Sequence, residues 1–181
     1  MTTIVKYITV AALALFSLMS CNTETSLQEY LVAKQDDDAF MKVDLPSSLL
    51  DSEESTLDTE QKDILKTVKK VNVVAYPLKD GNLAEYHTEK DKVNTILADN
   101  TYKLLSKMKS NGMDITLKYV GEEDAIDEVI VFASSDEKGF AVFRLLGKNM
   151  RPEQMLQLVN SLDQSNVNMS QLSTITNLFN L

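Results

Sequence analysis

The sequence holds one cysteine, one histidine and no tryptophan. A single cysteine excludes an intramolecular disulfide. Cys21 and His87 together cannot supply a four-ligand Cys/His zinc site without carboxylates or a second chain. The missing tryptophan removes one common sugar-stacking residue and leaves Tyr and Phe for that role. Positive charge is scarce as well: 18 Lys and Arg stand against 27 Asp and Glu, a formal net charge of −9. Binding nucleic acid takes clustered Lys and Arg, so this balance argues against a nucleic-acid partner. Adsorption to an anionic lipid surface by charge alone is disfavoured on the same ground. Acidity of this kind is the ordinary property of a solvated surface. No internal repeat is present.

What remains is globular. At 181 residues, with 44% hydrophobic and 25% charged, the chain has material for one domain with accessories. Residues 1–20 have a different composition. Lys6 precedes an apolar run from Tyr7 to Met19, closed by the small Ser20. This is the layout of a secretory signal peptide. The run is shorter than the ~20 residues that a helix needs to cross a bilayer, which argues against a retained transmembrane helix.

Leu18-Met19-Ser20-Cys21 resembles the bacterial lipobox, with Leu three places before an invariant Cys and a small residue directly before it. Met19 is bulkier than the usual residue at its place. The resemblance implies transfer of a diacylglycerol to the Cys21 thiol, cleavage before Cys21, and acylation of the new amine. One acyl chain, at ~0.8 kcal/mol per buried CH₂, holds a protein marginally, and two or three hold it stably. The expected organisation is a signal peptide at 1–20, a lipidated N-terminus and short tether at 21–25, one α+β domain at 26–165, and a helical tail at 166–181.

Along the mature chain, Ser26 and Glu29 fit a capping box that opens a helix to about Gln35, which Asp36-Asp37-Asp38 ends. Met41, Val43 and Leu45 alternate with polar residues as a strand does, up to Pro46. Leu49 and Leu50 suit one helical turn. The acidic, serine-rich stretch from Asp51 to Thr59 reads as a loop, and Lys62 stands where a calcium loop would need its twelfth-position Glu. Thr59 is expected to cap a helix through Ile64, Leu65 and Val68. Val71 to Ala75 form a β-branched run that stops at Pro77, and Asp80-Gly81 is a turn. Thr88 is expected to open the longest helix, running to Ser110 with Val93, Ile96, Leu97, Leu104, Leu105 and Met108 on one stripe. Asn111-Gly112 would be its C-terminal stop.

Three strands follow: Met113 to Tyr119, Val129 to Ala133, and Phe140 to Leu146. The short polar turns Gly121–Asp124 and Asp136–Gly139 between them suggest an antiparallel meander. Pro152 suits the first turn of a helix carrying Met155, Leu156, Val159 and Leu162. Leu172, Ile175, Leu178 and Phe179 give the tail a helical apolar face, for packing on the domain or for a partner. The sum is an antiparallel or mixed sheet of about five strands, with helices packed mainly on one face.

Two segments carry a family resemblance. Phe140 to Leu162, in the run GFAVFRLLGKNMRPEQMLQLVNSL, resembles the closing strand, turn and helix of a family of Bacteroidetes lipoproteins catalogued as a domain of unknown function, family 4252. Tyr30 to Leu50, with FMKVDLPSSLL, resembles that family's opening. The resemblance implies an α+β fold and an envelope lipoprotein, and it brings no catalytic residues. In such bacteria, surface-destined lipoproteins often carry an acidic run after the Cys. Asn22-Thr23-Glu24-Thr25 has one acid, so the expected site is the outer membrane with the domain facing the periplasm.

No catalytic or cofactor constellation is visible. His87 stands alone in a polar stretch and reads as a surface residue. The Gly-x-Ser-x-Gly, P-loop and His-Glu-x-x-His patterns are absent. Ser134-Ser135-Asp136 and Glu122-Glu123-Asp124 read as turns. Paired carboxylates act as acid and base only where their surroundings split their pKa values, so a carboxylate-dependent hydrolase of envelope glycans stays as the alternative to a non-enzymatic binding module. Arg144 lies on the strand side of Phe140, Val142 and Leu146. It is expected to be an edge residue with packed stem and wet head, or else a guanidinium near a ligand-binding face. Met150, Met155 and Met169 are expected to fill the core.

Overall fold

A computed structural model describes residues 25–46, 58–78 and 82–157. The expected signal peptide, Cys21, the turns expected at Leu49-Leu50 and Asp80-Gly81, most of the acidic stretch, and the expected helical tail with Met169 lie outside the described residues. The elements are α1 (Leu27–Ala33), β1 (Met41–Pro46), α2 (Thr59–Leu65), β2 (Val68–Pro77), α3 (Leu83–Leu97), β3 (Lys103–Ser110), β4 (Met113–Glu122), β5 (Ala125–Ser135) and β6 (Gly139–Met150). Residues 152–157 are helical as well. All six strands pair antiparallel in the order β1-β2-β6-β5-β4-β3. The α+β class holds, with six strands rather than about five.

The additional strand is β3, and it corrects the longest helix. Leu104, Leu105 and Met108 belong to β3, not to the stripe of α3. The helix also starts earlier: Asn82 caps it by accepting from the Glu85 N–H, while Thr88 sits inside and donates to the Ala84 carbonyl. Two local devices end it. Asp99 folds back to accept the Thr101 N–H at 2.8 Å, and the Lys118 ammonium from β4 caps the carbonyls of Leu97 and Tyr102. A cation on a helix C-terminus satisfies groups left open by the last turn. Asn111-Gly112 is accordingly a hairpin turn between β3 and β4. Both residues have positive φ, 50° and 76°, which is the demand of a type I′ turn. Similarly, Asp58 rather than Thr59 caps α2 in a capping box with Gln61, and Val68 opens β2. The Ser26–Glu29 capping box of α1 is as expected.

Each face of the sheet carries its own apolar cluster. On the front face, Val74, Tyr76, Ile130, Phe132, Phe140 and Val142 meet α1 and α3 through Leu27, Tyr30, Leu31, Tyr86, Val93 and Leu97. Phe140 sits at the centre of the aromatic contacts, within 5.8–6.2 Å of Phe40, Tyr76, Tyr86 and Phe132. On the back face, Val71, Val73, Ala75, Val129, Ala133 and Ala141 form a cluster with Ile64 and Leu65 of α2 and with Met150 and Met155. The latter two methionines are core residues, as expected. The edges are guarded. β3 carries Lys103, Lys107 and Lys109 with a register shift between Leu104 and Ser106, and β1 ends on Pro46.

Candidate functional site

Front-face covering is incomplete at one corner. Beneath α1, where β1, β2 and β6 run side by side, lies a groove of about 480 Å³. Its wall is the Gln28, Val32 and Gln35 side of α1, and its floor includes Asp44, Asn72 and Arg144. The helix is pinned over it at both ends. The Leu27 N–H donates to the Tyr102 hydroxyl at 3.2 Å, and the Lys42 ammonium bonds the carbonyls of Gln35 and Asp37, both at 2.9 Å. On the floor, Asp44 stands opposite Asn72 in register and accepts from it and from Lys70. The lining therefore mixes both signs of charge with the apolar Val32, which is 55% exposed.

Arg144 is not an edge residue. Its strand β6 lies inside the sheet between β2 and β5. The head instead turns to Glu128 of β5, Nη2 to Oε2 at 2.8 Å, and to Gln28 of α1 at 3.1 Å. Both side chains of the ion pair are about nine-tenths hidden, 12% and 11% exposed. Arg144 Nε and Glu128 Oε1 have no hydrogen-bond partner. These two atoms are the unused halves of one Arg–carboxylate fork, which is bidentate when closed. Closing that fork would satisfy both atoms without a ligand. Arg144 lines the groove, in keeping with the ligand-face expectation, while its charge is already neutralised.

A second ionic knot joins α1 to α3. The buried Glu89 carboxylate accepts from Lys92 at 2.7 Å, Tyr30 at 2.9 Å and Lys34 at 3.1 Å. Burial pushes this carboxyl up, and the bonds from Lys92, Lys34 and Tyr30 outweigh it, holding it below the usual range. Burial and the neighbouring Glu89 push the Tyr30 phenol far up, so it stays protonated.

The third cluster is a shallower hollow of about 310 Å³ that includes Lys90, Asp114, Ser134, Ser135 and Asp136. One Asp136 oxygen accepts from both Lys90 at 2.8 Å and Tyr86 at 3.0 Å, and these bonds hold its carboxyl down. The Ser135 hydroxyl accepts the Glu137 N–H, a turn role. His87 is exposed on α3 with its ring against Tyr86. Glu122, Glu123 and Asp124 are exposed at the β4–β5 turn.

General-acid catalysis needs a carboxyl held protonated by its surroundings. The carboxyls that this structure shifts, Glu29, Asp37, Glu89, Asp99 and Asp136, all move down. Among the described residues no three of His, Cys, Asp and Glu converge as a metal site, and no helix is long and apolar enough to cross a membrane.

Glu89 and Glu128 were not singled out from the sequence, although a signal was there. Glu89 interrupts the buried stripe Tyr86, Val93, Leu97 at helical spacing, and Glu128 shares the parity of Ile130 and Phe132. A charged residue on an apolar stripe points to a partner across the interface. Asp44 and Asn72 carried no such mark, because their meeting depends on strand order.

Residues 30–158 match the model of a family described as Domain of unknown function (DUF4252). The searches of curated proteins and of solved structures returned no match.

Proposed function

The chain belongs to that family, and from this premise we propose that it is a lipid-anchored, non-enzymatic binding module of the bacterial cell envelope. The observation that carries the binding role is the groove beneath α1, whose volume falls within the range of small-molecule and side-chain sites. Its mixed charges and the exposed Val32 suit an envelope protein segment or a small polar ligand.

The anchor is lipid on Cys21, supported by the Leu18-Met19-Ser20-Cys21 pattern. Leu27, fixed to Tyr102, stands six residues after it in sequence. A chain spans at most ~3.6 Å per residue, so the start of α1 would be held within about 20 Å of the bilayer surface. The groove would then open close to the membrane plane. With Glu24 the one acid among residues 22–25, the placement proposed is the outer membrane, domain toward the periplasm.

The test is cross-linking on intact envelopes, with capture of the wild-type chain and of Lys70→Glu and Asn72→Ala variants. Partners held by the groove are recovered with wild type and lost with the variants. Equal recovery from all three chains, or no specific partner with any, overturns the proposal.

A further inference from the structure

β1 is an edge strand, paired on one side by β2, which β6 follows. The direction of its backbone groups follows from the ladder. The Leu78 N–H donates to the Lys138 carbonyl at 2.9 Å, one step beyond the Pro77–Gly139 pair. Backbone groups alternate in direction along an antiparallel strand. Tyr76, Val74 and Asn72 therefore turn theirs to β6, and Ala75, Val73 and Val71 turn theirs to β1. The β1 residues opposite these three are Met41, Val43 and Leu45. The backbone groups of Lys42, Asp44 and Pro46 accordingly point away from the sheet. Pro46 has no N–H, and the Phe40 N–H is taken by the Asp37 carbonyl. The outward donors of β1 are thus the N–H groups of Lys42 and Asp44, one on each side of Val43.

This edge is complementary to itself. A second β1 laid antiparallel about a two-fold axis at Val43 sets Lys42 of each copy opposite Asp44 of the other. The same register sets Met41 opposite Leu45 on the back face, beside Val43 and its own copy. Lys42 and Asp44 are both exposed, and both have bonding capacity left. The Lys42 ammonium has three donors and uses two, on the Gln35 and Asp37 carbonyls. Asp44 accepts from Lys70 and Asn72, which fills two of about four lone-pair sites. The opposite edge of the sheet lacks this symmetry. β3 reads KLLSKMKS, with lysines and no acid, so a copy laid on it brings like charges together.

We propose that β1 pairs with β1 of a second copy of this chain, joining two sheets into one through an isologous, two-fold contact. Lys42 and Asp44 exchange backbone hydrogen bonds across the axis, and their side chains close two ion pairs. Pro46 limits the contact to this short stretch, so the dimer is weak and concentration-dependent. Lys42 and Asp44 also line the groove, and the pairing brings two grooves to one seam. The contact does not depend on what the groove binds.

The test uses the full chain carrying Cys21→Ser, so that an introduced cysteine is its only thiol. Val43→Cys puts that thiol on the axis, in a non-hydrogen-bonded pair with its own copy. The Cα atoms of such a pair stand about 4.5 Å apart, within the range of a disulfide. Met41→Cys is the control, half-buried on the same face, with its two copies about 13 Å apart along the strands. Under mild oxidation Val43→Cys is expected to give a linked dimer and Met41→Cys to stay monomeric. No dimer from Val43→Cys, or equal dimer from both positions, overturns the proposal. Charge exchange supplies a second arm in the Val43→Cys background. Lys42→Asp alone and Asp44→Lys alone each set like charges across the axis, and each is expected to slow dimer formation about tenfold. Mixing these two chains restores opposite charges in both pairs, and the mixed dimer, identified by mass, is expected to form at the original rate. A mixed dimer that forms no faster than the dimer of either variant alone overturns the proposal.

Discussion

Replacing Glu89 by Gln tests whether the knot between α1 and α3 is a stabilising device. The shape is kept and the charge removed. Three bonds are affected unequally. Lys92 is 54% exposed, so its ion pair is screened and contributes up to about 1 kcal/mol. Lys34 and Glu89 are 15% and 6% exposed, and a charge-assisted bond in that setting contributes about 1.5–3 kcal/mol. The Tyr30 hydroxyl keeps an acceptor in the Gln carbonyl and loses little. The expected cost is about 2–3 kcal/mol, or roughly 5–10 °C in Tm for a chain of this size. The assay is urea unfolding at pH 7, where the midpoint should fall with no change in the slope. Tyr30→Phe alone should cost about 1 kcal/mol, and the double variant should depart from additivity by at least about 0.5 kcal/mol because the residues share one network. The pH dependence follows in sign. The Glu89 carboxyl is held below its ordinary value of 4.5 in the folded chain. Its stabilisation is therefore complete above that value and lost as pH falls through the folded pKa. Wild type should lose this increment in acid, and Glu89→Gln should show a flatter acid limb. A variant within 0.5 kcal/mol of wild type, or one with the same acid limb, would refute the reasoning.

Cys21→Ala should abolish incorporation of labelled palmitate and release or mislocalise the domain; a labelled, membrane-bound variant would defeat the anchor. Arg144→Ala strands Glu128 in a buried place and should cost about 3–5 kcal/mol in chemical denaturation. Replacing both partners with apolar residues, Arg144→Met with Glu128→Leu, should recover most of that loss, and no recovery would mean that the pair itself is required. Gly139→Ala should cost at least about 2 kcal/mol, since φ is +111° and a Cβ would meet the Tyr76 carbonyl at 2.0 Å. Thermal unfolding reads this directly, and a neutral result would contradict the tight β2–β6 contact.

What was legible in the sequence was local. The Ser26–Glu29 cap, the alternation in Met41–Leu45 and the three meander strands rest on neighbouring residues, and all stand in the structure. The division between α3 and β3 did not. Leu104, Leu105 and Met108 continue the helical spacing of Val93, Ile96 and Leu97, and eight residues of mixed Leu, Met, Lys and Ser satisfy either period. What decides against the helix is Lys118, brought from β4 to the carbonyls of Leu97 and Tyr102, and the chance to pair with β4. Both are tertiary facts. The groove was illegible for the same reason, because Asp44, Asn72 and Arg144 meet only once β1, β2 and β6 are neighbours. That adjacency sets β2 between β1, the first described strand, and β6, the last.

The proposed anchor would also be linked to the groove. The helix that roofs the groove is the first described element, and its N-terminus is tied to Tyr102 just before β3. A lipid on Cys21 would thus pull on the groove's own wall. Its opposite end is fastened by Lys42 and, through Lys34 and Tyr30, by Glu89. Tension from such an anchor would be resisted by the same contacts that hold the groove's shape. Loosening the Glu89 knot should therefore weaken whatever the groove binds even though Glu89 does not line it, and the loss should be greater in the anchored chain than in one freed by Cys21→Ala. Titrating the captured partner against the four combinations of these two substitutions separates the effects, and equal losses in both backgrounds would mean that anchor and groove act independently.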